Sequence, residues 1–225
     1  PQQWARAMVQ YFKPGIGLVS GITVVKGQKL FDKMQGLEWL YYMGLLRMMD
    51  EISAVTAVGN NMALRKEAYW QTGGYESLDS SVTEDYKIFQ AITSKGWHHK
   101  HLLMPEVIAT SEPAPNLKDL MQQRKRWLRG GMELPKKVLG LVLLHNIYYP
   151  VAILLLLLNF KVAIIVLFFK AFIQDWFLYR QANILNLRLN RKNLVYYECY
   201  NYLISIITPI YFMLPLKTEW KQREI

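Results

Sequence analysis

The sequence predicts an α/β layer, followed by an interfacial helix and then by two or three membrane-spanning helices. Three observations carry this expectation. Short β-branched runs alternate with helical apolar patterns as far as residue 104. Basic residues then crowd positions 117–136, interleaved with Leu117, Leu120, Met121, Trp127 and Leu128, as in a helix lying in a bilayer interface. Residues 138–160 follow, 23 positions without a formal charge. As helix they would measure about 35 Å, enough to cross hydrocarbon with some tilt.

Composition narrows the classes further. Of 225 residues, 52% are apolar and 20% charged, against about 45–50% and about 25% in ordinary soluble domains. Disordered, collagen-like and disulfide-scaffold chains are excluded, the last because Cys199 is alone. Residues 1–136 hold 17 basic and 13 acidic side chains, and residues 137–225 hold 10 and 4. The more apolar portion is thus also the more cationic, which suits membrane segments with cytosolic flanks and not a nucleic-acid surface. Pro1 opens the chain without an initiator Met or a signal-peptide pattern, so the sequence reads as an excerpt of a longer protein.

Element by element, residues 15–25 read as one short buried strand between glycines. Residues 28–49 carry a helical stripe through Leu30, Phe31, Met34, Leu37, Leu40, Tyr41, Leu45 and Met48, closed by Asp50 and Glu51. After residues 54–58, Gly59-Asn60-Asn61 forms a turn or irregular crossing, and residues 62–65 lead into a short helix stopped at Gly73-Gly74. Ser80, Ser81 and Thr83 offer N-caps to a helix whose first turn holds Glu84 and Asp85 and which ends at Gly96. Residues 99–104 form a strand stopped by Pro105. These strands are too few for a complete doubly wound sheet. Beyond the first span, residues 162–179 and 194–216 are the further candidates, the former interrupted by Lys170 and Asp175, the latter holding Glu198. Lys170 and Asp175 read as a pair or as snorkelling side chains. The domain boundaries that follow are 1–115, 116–137, 138–216 and a basic tail at 217–225.

Thr83-Glu84-Asp85 is followed some forty residues later by Gln123-Arg124-Lys125-Arg126-Trp127, directly before the apolar spans. Adjacent acids at a helix start also serve as a dipole-compatible cap, and a basic run with Trp also serves as a lipid anchor. Order, spacing and context together are more specific. They resemble the membrane-bound family 2 glycosyltransferases, whose relatives include cellulose, chitin and hyaluronan synthases and ceramide glucosyltransferase.

That resemblance implies the C-terminal half of a GT-A domain and an inverting sugar transfer from a nucleotide-diphosphate donor. By position, Asp85 of the TED motif would be the base, with Glu84 and Thr83 beside it. Gln123, Arg126 and Trp127 of the QxxRW motif, with Arg124 a further candidate, would border the diphosphate and the acceptor. Gly59, Asn60 and Asn61 would line the acceptor turn. The tail residues Trp220-Lys221-Gln222-Arg223 resemble the ending of bacterial members. No DxD motif is present, so a divalent cation, Mg or Mn, is expected with its main ligands upstream, and this stretch offers no metal ligand. His98, His99 and His101 lack zinc-site spacing and read as structural. The partners implied are a nucleotide sugar, a glycan or lipid-linked acceptor and the bilayer, with no nucleic acid. The location implied is a bacterial inner membrane with a cytosolic catalytic face. Few spans and no aromatic-rich acceptor motif favour non-processive transfer. The alternative is a small polytopic protein whose basic helix docks lipid or a partner without catalysis.

Overall fold

The computed structural model describes residues 3–52, 55–79, 81, 83–216, 219–220 and 223–224. The chain runs α1 (Trp4–Val9), β1 (Ile16–Ser20), β2 (Thr23–Val25), α2 (Leu30–Asp50), β3 (Met62–Leu64), α3 (Lys66–Gln71), α4 (Glu84–Ser94), β4 (His98–His101) and β5 (Ala109–Ser111). It continues with α5 (Leu117–Gly131), α6 (Lys136–Leu158), α7 (Phe160–Ile184) and α8 (Arg191–Met213), and closes on a small pair, β6 (Glu219–Trp220) and β7 (Arg223–Glu224). Ser80, Ala54, Lys221 and Gln222 lie outside the described residues.

The run at 15–25 is two strands, not one. The break falls at Gly21, where a Cβ would stand 2.8 Å from both the Asn61 side-chain nitrogen and the Val107 carbonyl oxygen. A chain passing so close to its neighbours needs glycine. β1 lies between an antiparallel β3, with Leu18 opposite Leu64, and a parallel β4, with Val19 opposite Lys100. After the break β2 pairs in parallel with β5, a strand not anticipated from the sequence.

α2 is the seam of the molecule. Its Met34, Leu37, Leu40 and Met43 share one buried cluster with Leu120 and Met121 of α5, Leu178 and Ala182 of α7, and Leu194, Tyr197 and Ile204 of α8. Gly44 lets α7 approach, since a Cβ there would lie 2.7 Å from Gln181 Cγ and 2.9 Å from the Phe177 ring.

The interfacial helix expected over 116–137 is shorter and more deeply packed. Asn116 caps α5, its side-chain oxygen accepting the Asp119 N–H at 2.9 Å, and the helix stops at Gly131 before α6 begins. Arg124 and Lys125 are buried in it, not spread on a headgroup surface. Lys125 Nζ donates to the carbonyls of Leu214 and Leu216 at 2.6 and 2.9 Å, tying the end of α8 to α5.

α6 and α7 are long and apolar enough to cross a membrane. Only Asn159 separates them, its side-chain oxygen accepting the Val162 N–H at 3.2 Å. They fold back as a hairpin, so that Lys170 Nζ lies 5.4 Å from the Tyr149 ring. Lys170 pairs with Glu198 of α8 at 2.7 Å, not with Asp175. Five residues of helix turn by roughly 500°, which leaves Lys170 and Asp175 about 140° apart. The third candidate span, α8, instead buries Leu194, Tyr197, Tyr200, Asn201 and Ile204 along one face, over α2 and α5.

Candidate active site

Three segments meet at the start of α4. The Asp85 carboxylate accepts the Gly59 N–H at 2.9 Å through Oδ2 and the Tyr86 N–H at 2.9 Å through Oδ1. Gly59 opens a 3₁₀ turn, Gly59–Asn61, and is so near that a Cβ on it would stand 2.8 Å from Asp85 Cβ. Glu84 is exposed at the first position of α4. Thr83 occupies the N-cap position, but its hydroxyl makes no capping bond; its own N–H is taken by Ser81 Oγ at 3.1 Å. The capping role expected of Thr83 is therefore not made, because its side chain is packed on Gly130 of α5.

α5 brings up the other half. Residues three, four and seven apart share a helix face, so Gln123, Trp127 and Gly130 look the same way, with Arg126 at one margin and Arg124 at the other. Arg126 is half-buried. Burial pulls its pKa down while Glu84 and Asp85 pull it up, which puts the guanidinium within electrostatic reach of both acids. The pKa of the Tyr75 hydroxyl is raised first by burial and then by the same two acids, so this ring also borders the mouth.

Arg124 faces away. It donates to Glu38 Oε2 of α2 at 2.5 Å and lies with its guanidinium centre 4.5 Å from the Trp127 ring. Burial, the largest influence, opposes its charge, but Glu38 together with Tyr42 and Tyr200 outweighs it and the pKa is raised. The diphosphate contact expected of Arg124 is at odds with this, since its charge is already matched inside the protein. The Trp127 ring meets Trp39 of α2 at a 36° tilt, with centroids 4.9 Å apart.

Of the turn expected to line the acceptor, Gly59 and Asn60 are exposed and Asn61 is buried. Asn61 donates to the carbonyls of Ile22 and Val107 at 2.7 and 2.8 Å and accepts the Trp4 indole N–H at 2.8 Å. Its amide is fully engaged by the fold, so the substrate contact expected of Asn61 is corrected to a structural one. Asn60 Oδ1 accepts the Thr23 hydroxyl at 2.9 Å.

Glu38, Trp39, Gly130 and Tyr75 were not anticipated from the sequence. Glu38 carried a usable signal: it is an acid inside the apolar stripe of α2, and a buried charge needs a partner. Of the histidines of β4, His98 is exposed, and His99 and His101 are knitted into the sheet. Asp50 Oδ1 bonds His99 Nδ1 at 2.7 Å, His99 Nε2 bonds Ser20 Oγ at 2.8 Å, and Ser20 Oγ bonds His101 Nδ1 at 2.7 Å. Among the described residues no three His, Cys, Asp or Glu side chains are placed to hold a metal ion. The divalent cation implied by the resemblance finds no ligand set in these residues, and no step of the chemistry below passes through it.

A segment of 85 residues, 36% of the chain, is 32% identical to a UDP-forming cellulose synthase catalytic subunit of Dictyostelium discoideum, and it spans 7% of that protein's length. Residues 2–216 match the family model described as glycosyl transferase family group 2. Since that match runs through every helix from α1 to α8, the chain belongs to glycosyl transferase family group 2 and is related to the cellulose synthases.

Proposed function

We propose that this chain carries the acceptor side of an inverting, non-processive glycosyltransferase. It moves a sugar from a nucleotide diphosphate to a glycan or lipid-linked acceptor at a membrane surface. The observation that carries the reading is the hydrogen bond between Gly59 and Asp85, with Arg126 in reach of the same carboxylate. An acceptor hydroxyl beside the Gly59–Asn61 turn gives its proton to Asp85 as its oxygen attacks the anomeric carbon. The bond from that carbon to the diphosphate breaks, the electron pair leaves with the diphosphate, and attack from the opposite side inverts the centre. Arg126 faces the charge that develops on the leaving oxygens. UDP is the leaving nucleotide named for the matched relative, so UDP-sugars are the first donors to assay.

The membrane arrangement proposed is a two-span hairpin of α6 and α7, both ends on the cytosolic face of a membrane such as the bacterial inner one. α8 packs across α2 and α5 and, through Glu198, against Lys170 of α7, with both of its ends on that face. Two features support this: the tie from Lys125 to Leu214 and Leu216, and the burial of Leu194 with α2 at the other end of α8.

The test is Asp85→Asn in the full-length enzyme, which keeps size and loses the base. Transfer should fall on the order of 100- to 10,000-fold, with expression, membrane insertion and donor binding retained. Near-normal turnover per folded molecule would return the acidic pair to a capping role and remove Asp85 from the chemistry.

A further inference from the structure

We propose that Glu38 is a positioning residue for sugar transfer, setting through Arg124 the roll of α5 and hence the place of Trp127 against Trp39 and of Arg126 near Glu84 and Asp85. The proposal rests on the transferase reading above. Glu38 is 3% exposed, in the middle of α2, and Oε2 takes two donors: Arg124 at 2.5 Å and the Tyr200 hydroxyl of α8 at 2.8 Å. One carboxylate thus joins α2, α5 and α8. Burying such a charge is costly unless it is paired, and a paired buried charge tolerates few other geometries.

What the pair holds is a ring. With about 100° of turn per residue, Arg124 lies about 60° from Trp127 on one side, and Gly130 and Arg126 lie about 60° and about 100° from it on the other. A small roll of α5 that released Arg124 would carry Trp127 off Trp39 and move Arg126 relative to Glu84 and Asp85. At the opposite margin Gly130 abuts Thr83. The helix is therefore gripped on both sides of Trp127, by a buried ion pair and by a close contact. A one-ångström misplacement of groups that act together can cost on the order of 100-fold in rate.

The experiment compares Glu38→Gln and Glu38→Gln/Arg124→Met with wild type in the full-length, membrane-embedded enzyme. The double variant removes both charges, so it remains informative if Glu38→Gln alone leaves Arg124 unpaired and does not fold. Two readouts are taken: kcat and donor KM, and the circular-dichroism exciton couplet of the Trp39/Trp127 pair, identified by its loss in Trp39→Phe. Expected are folded double variants with a diminished couplet, kcat down on the order of 100-fold and donor KM within about threefold of wild type. An intact couplet with kcat within about threefold of wild type would overturn the proposal. So would a raised donor KM with the couplet intact, which would make Arg124 a substrate contact. If the wild type itself transfers no sugar, the transferase reading fails. The couplet then decides alone: its loss in the double variant supports positioning by Glu38, and its persistence overturns it.

Discussion

Gly130 of α5 stands against Thr83 at the head of α4 so closely that a Cβ on it would lie 2.1 Å from Thr83 Cγ2. Just beyond this contact α4 is tied twice more, to Glu133 in the turn that follows α5. The Tyr86 hydroxyl donates to the Glu133 carbonyl at 3.1 Å, and Lys87 pairs with the Glu133 carboxylate at 2.7 Å. The two motifs, forty residues apart in sequence, are held in register by a residue chosen for having no side chain.

Gly130→Ala tests that contact. Alanine favours a helix interior by about 1 kcal/mol over glycine, so a position of no consequence should gain stability. Here the methyl must push α5 away from α4, and transfer should drop on the order of 10- to 100-fold while the far-ultraviolet helix signal persists. A variant both more stable and fully active would show that the spacing of α4 and α5 does not matter to the reaction.

Asn61→Ala separates fold from chemistry within the proposed acceptor turn. It leaves two buried carbonyls and one indole N–H without their partner, at roughly 1–3 kcal/mol for each group left unsatisfied, less where the site relaxes. The expected outcome is a loss of several kcal/mol in denaturant melts, or failure to accumulate. Asn60→Ala, at an exposed position, should change stability by less than about 1 kcal/mol. Equal stabilities for the two variants would contradict this division of roles.

Stability should fall as pH drops from 6.5 toward 4. Burial, aided by the charges of His99 and Arg47 and opposed by Asp50, pulls the His101 pKa from 6.5 down to about 4. The unfolded chain therefore binds this proton more readily, and the contribution, full above pH 6.5, is lost on acidification through that window. It amounts to at most about 3 kcal/mol. For Asp50, burial works to raise the pKa, but the hydrogen bond and charge of His99, with His101 behind them, hold it lower. Its share is present above its unfolded value and disappears only at still lower pH, as the folded carboxylate protonates. Melts of wild type and His101→Gln across this range should converge toward acid; parallel curves would count against the assignment.

Single cysteines placed at residues 118, 188 and 216, in a Cys199→Ser background, should all react from the same side of the membrane. A residue 216 that labels only from the side opposite residue 118 would make α8 a third span.

The element types were legible in local pattern. The stripe of α2, the stop at Gly96 and the 23 uncharged residues each follow from periodicity or from the lack of charge, which neighbours in sequence determine. The sequence alone also determined the family, because TED and QxxRW are short runs whose order survives in one dimension. Tertiary structure alone decided which of those residues face one another. Arg124 and Arg126 are two positions apart and chemically identical, yet one closes on Glu38 and the other lies within electrostatic reach of Glu84 and Asp85, because about 200° of helical turn sends them to different neighbours. Asn60 and Asn61 divide in the same way, the second turned into a space bounded by Ile22, Val107 and Trp4. Likewise, an apolar run can lie on lipid or on protein; the buried Leu194, Tyr197, Tyr200 and Ile204 of α8 join one cluster with residues of α2 and α5 more than 70 positions away.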